Sequence, residues 1–153
     1  MSIITLLIVI MVAVGFVVVV MAWSKSRGKI EIVLENPGQY KNGDVVKGKI
    51  SISLKKNTHS NGLKLKLMAS SSRSSGSGES EGVYEKEFEI SGQKDYLRGE
   101  YPFEIQIPSD INNSDGMISP VGGHDDEEIT WFLNAILKVP GSVDIDSGVM
   151  VLL

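Results

Sequence analysis

The chain has 153 residues, with fifteen Lys and Arg against nineteen Asp and Glu, a net charge of −4 and no cysteine. That balance holds no basic excess to neutralise a phosphate backbone, so nucleic acid is not an expected partner. Without thiols there are no disulfides and no thiolate metal sites, which fits a reducing compartment.

Ile3 to Trp23, IITLLIVIMVAVGFVVVVMAW, runs for twenty-one residues without a charge. At the helical rise it makes a rod of roughly 31 Å, close to the thickness of a hydrocarbon core. A soluble core helix shows a polar stripe, whereas this stretch is apolar all round, with Thr5 its one polar side chain. It predicts a transmembrane helix over residues 1–23 and the lipid bilayer as a partner through Ile3–Trp23. Gly15 is its only glycine and it holds no ionisable residue, so neither a small-residue packing face nor a transport path is marked. Val20-Met21-Ala22 has the small residues of a cleavage site. The run lacks a basic leader, however, and exceeds the apolar core of about 7–15 residues usual in signal peptides. A retained anchor is therefore expected.

Lys25, Arg27 and Lys29 follow the span directly, and no Lys or Arg precedes it. The positive-inside rule then places the N-terminus outside and the remaining chain in the cytoplasm, with Trp23 at the inner interface. Asn112-Asn113-Ser114 spells a glycosylation acceptor, a common chance triplet that does not outweigh three basic residues.

Residues 24–28 read as a basic juxtamembrane hinge, after which the hydrophobic period changes to two. Lys29 to Glu35 alternates Ile30, Ile32 and Leu34 with Glu31 and Glu35, as a half-buried strand does. Asn36-Pro37-Gly38 breaks the pattern and Asn42-Gly43-Asp44 marks a turn. Val45 to Leu54 resumes the alternation, Asn57 to Gly62 reads as a polar break, and Leu63 to Leu67 alternates Leu with Lys. Ser70 to Gly82, rich in Ser and Gly and without an apolar residue, reads as a mobile connection outside the core. Val83 to Ile90 is a strand with Tyr84, Phe88 and Ile90 on one face. Ser91 to Arg98 reads as a turn, and Gly99 to Ile107 places Tyr101, Phe103, Ile105 and Ile107 together until Pro108 stops the pairing. Ser109 to Glu128 is a long polar excursion. Ile129 to Val139 is apolar on both faces, the mark of a central or covered strand. Gly148 to Leu153 closes the chain, and no further domain is expected.

About seven strands without crossover helices predict antiparallel pairing in two stacked sheets. The expected fold is all-β, an immunoglobulin-like or arrestin-like β-sandwich over residues 29–153, preceded by one transmembrane α-helix.

The segment Tyr40-Lys41-Asn42-Gly43-Asp44-Val45-Val46-Lys47-Gly48-Lys49-Ile50 resembles the opening of arrestin-type domains. Leu97-Arg98-Gly99-Glu100-Tyr101-Pro102-Phe103-Glu104-Ile105-Gln106-Ile107-Pro108 is similar to a later strand of the same family. Ile129-Thr130-Trp131-Phe132-Leu133-Asn134-Ala135-Ile136-Leu137, with Pro140-Gly141 and Asp144-Ile145 after it, resembles a third. These pieces come in the family's order across about Lys29 to Leu153. Arrestins carry two such sandwiches, whereas this chain has one, and their polar core and phosphate-sensing basic residues have no matching positions here. The resemblance thus implies an arrestin-like fold and a general binding or scaffolding role, with no functional residue carried over. Physically, Gly43 suits a turn of positive φ, and Gly48 a close backbone approach.

His124-Asp125-Asp126-Glu127-Glu128 is the most chemical stretch, yet its spacing matches no zinc or calcium signature, and it reads as a solvated acidic loop. The Ser-rich segment around Arg73 offers hydroxyls for phosphorylation, with a plain linker as the simpler reading. His59, beside Lys55 and Lys56, is expected on a surface turn. Lys64 and Lys66 should line a solvated sheet face, or alternatively lie against an anionic leaflet. With two histidines, no nucleophile motif and no phosphate loop, neither catalysis nor a cofactor, metal or small-molecule site is expected. The function expected is a membrane-anchored, non-catalytic scaffold module that recruits protein partners of unread identity. The alternative is an outward-facing surface or pilin-like filament subunit with an assembly helix and a β-sandwich head.

Overall fold

The computed structural model describes residues 27–38, 40–73, 80–122, 127–148 and 150–152. The expected transmembrane helix, 1–23, and residues 24–26 of the hinge lie outside them. Among the described residues no helix is long and apolar enough to cross a membrane.

Among the described residues the period-two pattern becomes eight strands: β1 (Gly28–Leu34), β2 (Val45–Ser60), β3 (Gly62–Arg73), β4 (Ser80–Ser91), β5 (Lys94–Gln106), β6 (Glu127–Lys138), β7 (Ile145–Asp146) and β8 (Met150–Leu152). Every strand pair is antiparallel. Sheet A has the order β1-β2-β5, and sheet B the order β4-β3-β6-β7, with β8 also pairing β6. This is the two-sheet antiparallel sandwich that the alternation predicts, with the last part of the chain divided into two short strands.

Alternation fixes which residues meet between the sheets. Ile30 and Ile32 of β1, Ile50 and Ile52 of β2, and Phe103 and Ile105 of β5 are buried. They share one core with Leu63, Leu65 and Leu67 of β3 and with Trp131, Leu133 and Leu137 of β6. The doubly apolar β6 is central, between β3 and the β7/β8 pair, as its sequence predicts. Gly43 has φ +89° in the turn before β2. Gly48 pairs with Leu34 on one side and Phe103 on the other. A Cβ there would stand 2.4 Å from the Val33 carbonyl oxygen and 3.0 Å from the Phe103 ring, so only glycine lets three strands close at that point.

Four segments depart from expectation. Asn57 to Gly62 is not a break: β2 continues to Ser60, with a register shift between Ser53 and Thr58. A bulge absorbs the residues that spoil the alternation. Ser91 to Arg98 is mostly strand, because β5 begins at Lys94 and buries Tyr96, whose hydroxyl donates to the Gly92 carbonyl at 2.7 Å. Ser70 to Gly82 is only partly a connection. Ser70 to Arg73 prolong β3 between β4 and β6, Ser71 is buried, and Ser80 to Gly82 open β4. Residues 74–79 lie outside the described residues. Backbone pairing on both sides holds this polar stretch in the sheet without apolar side chains.

The fourth departure is Ser109 to Glu128, where part of the polar excursion is built onto sheet B. Asp110 accepts from the Asn112 amide at the start of one turn of 3-10 helix, Ile111–Asn113, which buries Ile111. Met117 bridges Tyr84, and the Ile118 and Glu85 amides donate to the Val83 and Gly116 carbonyls. That run covers the outer edge of β4, a common way to blunt an exposed strand.

The two sheets join at a sharp corner where β2 passes into β3 and β4 into β5. Ser60 is fully buried there; its hydroxyl donates to the Lys138 carbonyl at 2.7 Å and accepts from the Gly62 amide at 3.0 Å. Gly62 turns the corner with φ +149°.

Candidate functional site

The outward faces of the two sheets differ in charge. On sheet B, alternation turns Lys64 and Lys66 outward, and the register places them opposite the Glu residues of β4. Lys64 binds Glu87 at 2.9 Å, while Lys66 binds Glu85 at 2.8 Å. The hydrogen bond from Lys64 holds the Glu87 carboxyl below the usual carboxylate range. The bond to Glu85 likewise keeps the Lys66 ammonium protonated to higher pH than usual. Of the two readings of these lysines, the structure favours the neutralised sheet face over a cationic one.

Sheet A is paired in the same way over most of its length, through Lys47 with Glu104 at 3.0 Å and Lys49 with Glu100 at 2.7 Å. At the end where β1 begins the pattern changes. Register puts Lys29, Ser53 and Arg98 in one row across β1, β2 and β5. With Gly28, Leu54, Lys55 and Leu97 they line an open groove of about 850 Å³. Lys29 contacts Glu31. Among the described residues, Lys55, Lys56 and Arg98 have no carboxylate partner. Leu97 is 44% exposed and supplies an apolar wall. The nearby acid Asp95 is engaged by His59, 2.7 Å from its Nδ1, and by Asn57 at 3.3 Å.

His59 therefore lies on β2, not on a turn. Its partners are Asp95 and the Gln93 amide, 3.1 Å from Nε2. Among the described residues no hydroxyl is hydrogen-bonded to this ring. Of the acidic stretch 124–128, Glu127 and Glu128 open β6, and residues 124–126 lie outside the described residues. Among the described residues no three His, Cys, Asp or Glu side chains are grouped to hold a metal ion. A smaller hollow of about 370 Å³ lies beside Tyr84, Phe88 and Pro108, crossed by the Lys86–Asp115 ion pair at 3.1 Å. Burial raises the Tyr84 phenol above its ordinary pKa, and its ring packs edge-on against Trp131 at 5.4 Å.

Backbone edges are the other open feature. β1 and β5 are the outer strands of sheet A. β5 carries Pro102, which lacks an amide donor, whereas β1 has no proline. Of these two outer strands, β1 is the one in which every residue has an amide donor.

The groove was not visible in the sequence as a site. Lys55-Lys56 and Arg98 sit 42 residues or more apart in the chain; the lysines fall between the strand Val45 to Leu54 and the expected break from Asn57, and Arg98 falls in the segment read as a turn. Adjacent lysines that interrupt an alternating strand are the one local sign of the register shift between Ser53 and Thr58, beside which Lys55 and Arg98 line the same groove.

No protein-family profile matches the chain, and no curated protein resembles it in sequence. Its fold is similar to the crystal structure of Spo0M, a sporulation control protein from Bacillus subtilis. The TM-score is 0.59 at 15% identity, over 83% of this chain and 49% of that one. The chain thus spans about half the length of Spo0M. The likeness supports an arrestin-like β-sandwich and concerns the fold alone.

Proposed function

We propose that this protein is a membrane-anchored, non-catalytic module that recruits protein partners to the cytoplasmic face of a bilayer. What supports the reading is the junction of two features: an uncharged run of membrane-spanning length, and an arrestin-like sandwich whose first strand begins at Gly28, five residues after Trp23. The sandwich by itself suggests an interaction module, since its described surface offers strand edges and loops and no clustered catalytic groups. The β1 edge is the surface best suited to a partner, which would add a strand through main-chain hydrogen bonds.

Two measurements test this. Protease added to intact cells should spare the domain, and protease added to opened cells should digest it. Digestion in intact cells would reverse the orientation and favour the outward-facing filament subunit. With the intact chain as bait, detergent-solubilised membranes should yield stoichiometric protein partners that Val33→Asp on β1 weakens. Retention of none, or of the same set by the variant, removes β1-mediated recruitment.

A further inference from the structure

We infer that the groove at the β1 end of sheet A is a docking surface for anionic lipid headgroups, so that the sandwich lies down on the leaflet instead of hanging from its tether. The inference rests on the anchor reading above and adds an orientation and a lipid preference to it.

Three observations carry it. First, position: Gly28 both lines the groove and ends the hinge, so even a fully extended linker keeps the groove within about 17 Å of the end of the span. Second, charge: Lys55, Lys56 and Arg98 lack carboxylate partners among the described residues, while Lys47, Lys49, Lys64 and Lys66 each pair with one. Lys29 adds a charge shared with Glu31. The chain is acidic overall, so an unneutralised cationic patch at this one end is a local property. Third, shape and polarity: Lys29, Lys55 and Arg98 line an open trough with Leu97 half exposed in its wall. Such a trough suits a layer of phosphate and carboxylate headgroups over an apolar boundary. Of the acids near the groove, Glu31 and Glu100 are paired with Lys29 and Lys49, and Asp95 is turned to His59 and Asn57. Lys94, at the start of β5, stands over the Tyr96 and Tyr101 rings.

A cation close to an anionic leaflet shifts the docked population by about fivefold. Removing two with Lys55→Gln and Arg98→Gln should therefore lower the ratio of docked to undocked domain on the order of 30-fold. The chain contains no cysteine, so single labels are unambiguous. The intact chain, carrying a fluorophore at Asn57→Cys beside the groove or at Glu104→Cys at the far end of the same face, would be reconstituted into lipid nanodiscs bearing an acceptor on their headgroups. In phosphatidylserine discs, energy transfer should be strong from position 57 and weak from 104. It should fall in phosphatidylcholine discs, on adding the Gln pair, and as salt rises. The salt series leaves Lys55 and Arg98 in place and so holds even if the Gln pair fails to fold. Equal transfer from both positions, or transfer indifferent to lipid charge and salt, overturns the inference. So does transfer displaced by a soluble acidic peptide in anionic discs, which assigns the groove to an acidic protein segment. If alkaline carbonate strips the chain from membranes, the anchor reading fails; if the chain resists carbonate and the label at 57 stays remote, only the docking fails.

Discussion

The outward faces of the two sheets carry similar numbers of lysines and use them differently. On sheet B the β3 lysines stand opposite β4 glutamates, the excursion after Pro108 covers the edge of β4, and β6 is held from both sides. On sheet A the same cross-strand pairing holds at Lys47 and Lys49 and lapses beside Gly28, on the outer strand β1. Both sheets bury their inner faces in one core, so the difference is not one of hydrophobic need. Exposed ion pairs contribute little to stability, and their consistent presence on one face chiefly makes that face unattractive to charged partners. Sheet B is the closed side of this molecule and sheet A the open one.

The contrast can be sharpened at its foundation, then at its hinge, then at its surface. Leu133, fully buried at the centre of sheet B, should cost about 2–5 kcal/mol when replaced by Ala. Leu97→Ala, in the groove wall of sheet A, should change stability by no more than about 0.5 kcal/mol; urea unfolding of the intact chain in detergent measures both. Comparable losses would mean that the groove is part of the core.

Ser60→Ala tests the corner that couples the sheets. It strips a buried hydroxyl from the Gly62 amide and the Lys138 carbonyl, for an expected loss of about 1–3 kcal/mol. Hydrogen exchange at Gly62 should accelerate with it. Unchanged exchange would show the corner to be held by backbone alone.

The smallest change in stability should come from Glu85→Gln with Glu87→Gln, which unmasks Lys64 and Lys66 at a cost below about 1 kcal/mol. Its effect on partner choice should be larger: with a label at Ser70→Cys, the sheet B face should now approach anionic nanodiscs, from which the parent face should stay remote. The same pair changes the pH profile. Because the folded Glu87 carboxyl titrates below its usual range, its contribution is present at neutral pH and lost as pH falls through the folded value. The double variant should accordingly lose less stability between neutral and acidic pH than the parent, as followed by thermal melts. At the other extreme, Lys66 is held protonated above its ordinary value, so its share is present below the ordinary lysine range and disappears as pH rises beyond it.

Most of the core was legible from alternation alone. Ile30, Ile32, Ile50, Leu65, Phe103 and Leu133 each sit at the expected phase, because a strand with one wet face admits only one assignment of its side chains. Gly43 and Gly48 were legible too, since positive φ and close backbone approach are demands that few residues meet. Tyr96, Ser60 and Ser71 were not. Each lies where polar neighbours hide the strand, and each is buried by what its partners supply: a carbonyl at Gly92 for Tyr96, the Lys138 and Gly62 backbone for Ser60, and flanking strands for Ser71. Val83 and Tyr84, adjacent and both buried, show the same limit, because the register shift beside Ala69 and Ser70 lets two consecutive side chains turn inward.

By itself, then, the sequence determined that residues 29 onward form antiparallel strands, which side chains of the cleanly alternating stretches face the core, and the turn at Gly43; these follow from local periodicity and backbone sterics. Which cations are neutralised was decided only by the tertiary structure. Lys64 and Lys55 are alike as letters in a strand, and one meets Glu87 while the other lines the groove with Arg98. Register between strands far apart in sequence sets that difference, because an ion pair needs its partner within a few ångströms.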